Sequence, residues 1–144
     1  EAKLLADLDS TRLASVFDRI PEVIGRRARH VGVEIERVRQ ASSAFSCGNL
    51  REVGRLLLES HGSSRLLFEN STVELDTLVD LLSEMSGVYG ARLTGGGFGG
   101  AVMAMTDESF KSDDAGSVGE RFSSRFGAPA ESIHVRTADG AALC

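Results

Sequence analysis

The chain has 144 residues, of which 42% are hydrophobic and 26% are charged, and its net charge at pH 7 is −5. This length suits one domain of ordinary globular composition, and the acidic balance argues against a nucleic-acid partner, which requires a basic face. No window reaches the ~18 uninterrupted apolar residues of a membrane span, and no secretory leader is visible. We therefore expect a cytoplasmic protein with no membrane partner, and the two cysteines, which lack metal-ligand spacing, fit a reduced compartment.

The first part of the sequence predicts two helices. Residues 9–11 offer caps for a short helix that Pro21 ends. From Ile24 a three-four spacing of apolar residues predicts a long helix that runs to Cys47, with Gly48 as its left-handed stop. The stripe expected to face the core consists of Ile24, Ala28, Val31, Ile35, Val38 and Phe45.

Two further helices are predicted before the middle of the chain. Asn49 is the expected cap of the first, and Ser71 with Glu74 matches the capping box of the second, which Gly87 closes. The apolar positions of the first are Leu50, Val53, Leu57 and Leu67. Those of the second are Leu75, Leu78, Val79 and Leu82.

After Gly87 the pattern changes to short strands. Residues 88–93 and 101–106 are predicted as strands on either side of a glycine run, and residues 131–136 alternate as a third strand. One more amphipathic helix is predicted from Ala115, Val118, Phe122 and Phe126. This order predicts an α+β fold in which helices pack on one face of a small, mainly antiparallel sheet.

The glycine run departs most from ordinary composition, with five glycines in the six positions from 95 to 100. Glycines cost backbone entropy, so tight turns or the close approach of another group must require them. Gly95, Gly97 and Gly100 formally satisfy the dinucleotide-binding pattern, but that pattern must open a helix, whereas a strand is predicted here. We reject it. A hairpin whose glycines only let two strands cross a helix is the alternative interpretation.

Residues 87–100 resemble the third signature motif of the GHMP sugar kinases, in the form found in galactokinases. Three other stretches resemble galactokinases in the same order along the chain. These are residues 26–38, which resemble the start of the C-terminal half of the family, residues 59–79, with Ser-His and Glu-Leu-Asp-x-Leu-Val, and residues 133–141. The resemblance covers nearly the whole chain.

The resemblance implies that residues 1–144 form a GHMP kinase C-terminal domain of ferredoxin-like type. It implies a partner, an N-terminal kinase domain, that carries the catalytic base, the sugar motif and the phosphate loop and binds most of ATP and Mg²⁺. The complete enzyme would phosphorylate galactose or a related sugar at its anomeric hydroxyl. We therefore expect no catalytic residue, no metal ligand and no activity in this chain alone. The loop expected to support the substrate and phosphate region consists of Thr94, Gly95, Gly96, Gly97, Phe98, Gly99 and Gly100.

The sequence also departs from the usual galactokinase pattern. Ser63 and Ser64 stand where an acidic pair is typical, and residues 71–73 lack the usual Cys-Pro. This variation resembles relatives that act on galacturonate or arabinose, so galactose, galacturonate and arabinose all remain open. Arg92, beside the glycine run, is the candidate side chain for contact with an anion.

The other polar candidates are interpreted as structural. His30 is expected to pack against its neighbours, and His61 with Ser60 or Ser63 is rejected as a nucleophile and base because no acid orients the imidazole. Cys47 at a helix C-terminus is not expected to be reactive, since the helix dipole disfavours a thiolate there. Capping, strand or surface roles are expected for Glu69, Glu74, Asp76 and His134.

Two expectations follow for experiments. An exposed apolar patch on the sheet-and-loop side is expected to drive self-association of the chain. Gly97→Val in the complete enzyme is expected to lower turnover far more than stability, because a side chain would block the approach of the loop backbone to its ligand. The competing hypothesis is a non-catalytic α+β module for small-molecule binding or assembly.

Overall fold

The computed structural model describes Leu5 and residues 19–139. The predicted short helix before Pro21 falls mainly on residues outside this part of the chain. The elements, in chain order, are α1 (Glu22–Ser46), α2 (Leu50–Ser63), a π-helical segment (Ser64–Phe68), α3 (Val73–Ser83), β1 (Val88–Thr94), β2 (Ala101–Thr106) and α4 (Ser112–Phe126).

Helix α1 matches the prediction in its length but not in its buried face. It runs over Glu22–Ser46, and Gly48 follows with a φ of 69°. Ile24, Val38 and Phe45 are more than half exposed, so the predicted stripe is wrong at these three positions. The helix packs on α2 and the π-helical segment, and small side chains allow that close approach. Its buried residues are Gly25, Ala28 and Ala44.

Helix α2 crosses β1 at two glycines. Asn49 begins the helix as predicted, because its side chain accepts the Glu52 N–H at 3.2 Å. Farther along, a Cβ added to Gly54 or to Gly90 would lie well inside 3.0 Å of backbone atoms of the other element, a separation that real Cβ atoms do not show. The helix and the strand therefore meet backbone to backbone.

The core has two parts. The larger lies where α2 and α3 pack on β1, and the smaller joins α3 to α4. Fully or nearly fully buried apolar residues of the first part are Val53, Leu56, Leu75, Val79, Ala91 and Leu93. Those of the second are Leu81, Val118 and Phe122.

The sheet of the described residues is a single antiparallel pair, β1 with β2. Leu93 lies opposite Val102, and Arg92 lies opposite Met103. Helices packed on a small antiparallel sheet confirm the α+β class. Within the described residues no helix is both long and apolar enough to cross a bilayer.

The third strand predicted at residues 131–136 is wrong. This stretch forms no strand, and Ile133 and Val135 are 82% and 79% exposed. An alternating pattern becomes a strand only when a neighbouring edge supplies hydrogen bonds, and nothing in the described part of the chain supplies one here.

The glycine crossing gives the first testable prediction. Gly90→Ala is expected to lower the free energy of unfolding by about 2–3 kcal/mol, because the new Cβ must displace the backbone of Gly54. Denaturant titration measures this. Gly62→Ala is the matched control, since a Cβ there meets nothing within 4 Å and alanine favours the helix. Equal denaturation midpoints for both variants would contradict the close backbone contact between Gly54 and Gly90.

Candidate functional site

The glycine loop, residues 94–100, joins β1 to β2 in a conformation that most side chains disfavour. Phe98 also has a positive φ, 58°, and the residue is 76% exposed. An L-residue with a side chain pays roughly 1–2 kcal/mol for this left-handed conformation, so other contacts must hold it. The glycines with positive φ are Gly95, Gly97, Gly99 and Gly100.

Asn70 supplies contacts that hold the loop. Its backbone carbonyl accepts the Phe98 N–H at 2.7 Å, and its side-chain Nδ2 donates to the Gly96 carbonyl at 3.1 Å. Asn70 is only 7% exposed. Sequence reasoning missed this residue, because its only signal is its place in a stretch that departs from the usual family pattern.

Gly97 lies directly against Asn70. A Cβ at Gly97 would fall 2.7 Å from Asn70 Nδ2 and closer still to the Asn70 carbonyl oxygen. This geometry revises the expectation for Gly97→Val, which should now lower stability as well as turnover. Gly97 therefore cannot separate a structural role from a functional one.

Glu69 turns the chain toward the loop. It ends the π-helical segment in the left-handed conformation, with a φ of 61°. Its carboxylate accepts hydrogen bonds from Arg26 at 3.0 Å and Arg27 at 3.2 Å. The hydrogen bond from Arg27 and the charge of Arg26 lower the pKa of Glu69. Two cations of α1 thus hold the residue that precedes Asn70.

His61 ties α2 to β1 directly before the loop. The Leu93 N–H donates to His61 Nδ1 at 3.3 Å, so Nδ1 is an acceptor and the proton lies on Nε2. Nε2 then donates to Asp76 Oδ1 at 3.1 Å. Asp76 also accepts from Ser71 Oγ at 2.6 Å and from Arg65 Nε at 3.0 Å. This network joins α2, the π-helical segment and α3 to the end of β1.

The network corrects two sequence predictions. An acid does orient His61, contrary to the argument used to reject a nucleophile and base. The rejection itself stands on other contacts, because Ser60 Oγ donates to Glu34 and Ser63 Oγ pairs with His30, so neither hydroxyl binds the imidazole of His61. The capping residue of α3 is Thr72, which accepts the Leu75 N–H, and not Ser71.

The side chain of Arg92 reaches α1. Its guanidinium lies 3.7 Å from Glu34 Oε2, and its Nε donates to the Leu93 carbonyl at 2.9 Å. Glu34 also accepts from Arg37 and from Ser60. Burial lowers the pKa of Arg92. An anion at Arg92 would have to compete with Glu34.

His30 packs as predicted. Its Nδ1 lies 2.8 Å from Ser63 Oγ, and its ring centroid lies 4.8 Å from that of Phe68. Burial, with the charges of Arg37 and Arg92, lowers the pKa of His30. The exposed candidates are Cys47, Glu74 and His134. Among the described residues, no three metal-ligating side chains come together.

Comparison with known proteins assigns the family. The model of the GHMP kinases C terminal family matches residues 35–128. The chain belongs to this family. A galactokinase of Canis lupus familiaris is 47% identical over 98 residues, which cover 68% of this chain and 25% of that protein.

Two solved structures share the fold of this chain. Lactococcus lactis galactokinase, in complex with galactose, matches with a TM-score of 0.84 and 35% identity over 90% of this chain and 34% of that one. L. major mevalonate kinase, in complex with R-mevalonate, shares the fold, with a TM-score of 0.53 and 22% identity over 88% of this chain and 36% of that one. The GHMP chain thus spans about a quarter to a third of the length of these relatives.

The His61 network predicts a pH dependence of stability. Burial lowers the pKa of His61, although Asp76 and Asp80 raise it in part. The unfolded chain then binds a proton more readily, so this contribution is complete above the ordinary pKa of about 6.5 and is lost as the pH falls below it. His61→Gln should reduce the loss of stability between pH 6.5 and 5 by up to about 1 kcal/mol.

Denaturation midpoints across this pH range test the prediction. Replacement of His134 by Gln, at an exposed position, is the control and should leave the profile unchanged. His30 keeps part of the dependence in both variants, since its pKa is lowered too. Parallel profiles for His61→Gln and the unsubstituted chain would contradict the protonation state assigned to His61.

Proposed function

We propose that this chain is the C-terminal domain of an ATP-dependent sugar kinase of the galactokinase type. The complete enzyme transfers the γ-phosphoryl group of ATP to the anomeric hydroxyl of galactose or a related sugar. Membership of the GHMP C-terminal family and 47% identity to a galactokinase support this proposal. The proposed domain spans residues 1–144, and its partner is an N-terminal kinase domain.

The conformation and surroundings of Gly96 support the proposal that the loop binds a ligand. Unlike the other glycines of the loop, it has no positive φ, and a Cβ added there would meet nothing within 4 Å. Neither strain nor internal packing therefore excludes a side chain. The close approach of a group from outside the described residues explains this glycine, and a substrate or phosphate oxygen is the group we propose.

The loop contributes to the proposed reaction through its backbone. Phosphoryl transfer depends on positioning and on electrostatic stabilisation, and successive backbone N–H groups in a turn form a concavity suited to anions. The Phe98 N–H already donates to Asn70, so the remaining N–H groups of the loop are the proposed ligand contacts. We propose no catalytic side chain in this chain.

The other proposed partners follow the family resemblance. ATP and Mg²⁺ are bound mainly by the N-terminal domain, and Mg²⁺ neutralises phosphate charge there. Arg92 remains a proposed anion contact that must exchange its pairing with Glu34. The cytoplasm is the proposed location. Self-association is proposed through the exposed side chains of Phe98 and Met103.

Gly96→Ala tests the proposed function in the complete kinase. The new methyl group fits the fold but occupies the space through which the ligand approaches, so kcat/KM should fall about a hundredfold while Tm stays unchanged. Gly62→Ala is the matched control, because its added Cβ also meets open space. Normal turnover in Gly96→Ala would contradict the ligand contact at Gly96, whereas no sugar phosphorylation by the unsubstituted complete protein would favour the non-catalytic module.

The isolated chain is expected to lack sugar kinase activity, because the proposed catalytic base and phosphate loop belong to the other domain. Coupled ADP release, measured with galactose, galacturonate and arabinose, tests this. The same sugars offered to the complete kinase identify its substrate. Turnover by the isolated chain that persists through repurification would contradict the proposal that the catalytic base and the phosphate loop lie in the other domain.

A further inference from the structure

We propose that Asn70 is a positioning residue that sets the conformation of the glycine loop. Its two hydrogen bonds reach Gly96 and Phe98, on either side of Gly97. The bonds fasten a three-residue arch to one buried residue. The consequence for catalysis rests on the proposed kinase function, whereas the consequence for loop conformation does not.

The arch of residues 96–98 needs such a support because two consecutive residues in it adopt the left-handed backbone conformation. Gly97 has a φ of 80° and Phe98 a φ of 58°. The left-handed conformation is unfavourable for phenylalanine, which has no short polar group to stabilise it locally. The 2.7 Å hydrogen bond from the Phe98 N–H to Asn70 opposes its return to a right-handed or extended conformation.

The side chain of Asn70 acts through its Nδ2 group, which is a hydrogen-bond donor. Nδ2 donates to Gly96, whereas Oδ1 is buried and has no hydrogen-bond partner in the described part of the chain. A buried acceptor without a partner is destabilising, and an apolar residue would fill the space without that cost. The amide is therefore explained by the hydrogen bond that it gives to Gly96, not by packing.

Both neighbours of Asn70 are themselves held. Glu69 is fixed by Arg26 and Arg27 of α1, and Ser71 donates to Asp76 of α3. Movement of Asn70 would disturb one of these contacts. The loop is thus supported by a segment anchored to two helices.

Two substitutions separate the donor from the volume of the side chain. Asn70→Ala removes the donor but keeps the backbone carbonyl that binds Phe98. Asn70→Asp keeps the size but turns an acceptor toward the Gly96 carbonyl, so it should disturb the loop more. Asn49→Asp is the matched control, because Asn49 uses its oxygen as an acceptor and aspartate caps a helix equally well.

Backbone amide hydrogen exchange in residues 94–100 of the chain measures the loop directly. At pH 7.5 we expect exchange to be about tenfold faster in Asn70→Ala, the effect of one lost hydrogen bond, and faster again in Asn70→Asp. Asn49→Asp should match the unsubstituted chain in this segment. Unchanged loop exchange in a folded Asn70→Ala variant overturns the proposal. If Asn70→Asp does not fold, the exchange measured in Asn70→Ala alone decides.

The pH profile distinguishes a donor from a space-filling group. A buried aspartate has a raised pKa, and once protonated it can donate to Gly96 again, so loop exchange in Asn70→Asp should recover toward pH 5. Glu69, Arg26, Arg27, Asp76, Arg65 and His61 are the charged or titratable groups around this segment. Because His61 also titrates, each rate is divided by that of the unsubstituted chain at the same pH. Absence of recovery in a folded variant counts against the donor role.

Kinetics of the complete kinase test the effect on the reaction. Asn70→Ala should lower kcat about tenfold and change KM less, because a loosened loop misplaces groups in the transition state. Faster loop exchange with normal kcat would overturn the positioning role. If the unsubstituted protein phosphorylates no sugar, the proposed function fails, and the exchange measurements still decide whether Asn70 sets the loop.

Discussion

The backbone contact between Gly54 and Gly90 aligns the rest of the structure. With no side chain between them, α2 lies directly on β1. Beyond this contact the helix and the strand run side by side in the same direction, since His61 also contacts Leu93. His61 is seven residues beyond Gly54, about 10 Å along a helix, and Leu93 is three residues beyond Gly90, about 10 Å along a strand. The crossing therefore brings the imidazole of His61 to the Leu93 N–H, one residue before the glycine loop.

From this point a series of polar contacts carries support from the core to the loop. Asp76 joins His61 to Ser71, and Asn70, the residue before Ser71, binds the loop. Hydrogen bonds among buried groups are costly to break, because each partner left behind is desolvated. The loop can therefore keep an unfavourable backbone conformation and an exposed Phe98 without collapsing onto the sheet.

The sequence predicted the elements better than the contacts between them. Within the described residues, periodicity identified the α-helices and both strands of the sheet, since it reports local geometry. It failed for α1, whose buried positions are small residues that periodicity weighs little, and for residues 131–136, whose strand requires a partner edge. His61 and Asp76 are 15 residues apart, and no local signal indicates that the crossing of α2 over β1 brings them together.

The glycine loop shows why composition alone could not separate structure from function. The sequence alone cannot distinguish the five glycines of this loop. The structure shows that glycine is required for a different reason at different positions. Gly95, Gly99 and Gly100 are required by positive φ, and Gly97 by both positive φ and the contact with Asn70. Gly96 alone among the five has no cause within the described residues. A binding loop requires glycines that leave room for a ligand, so Gly96, the one glycine of this loop that the structure itself does not need, gives the strongest indication of function.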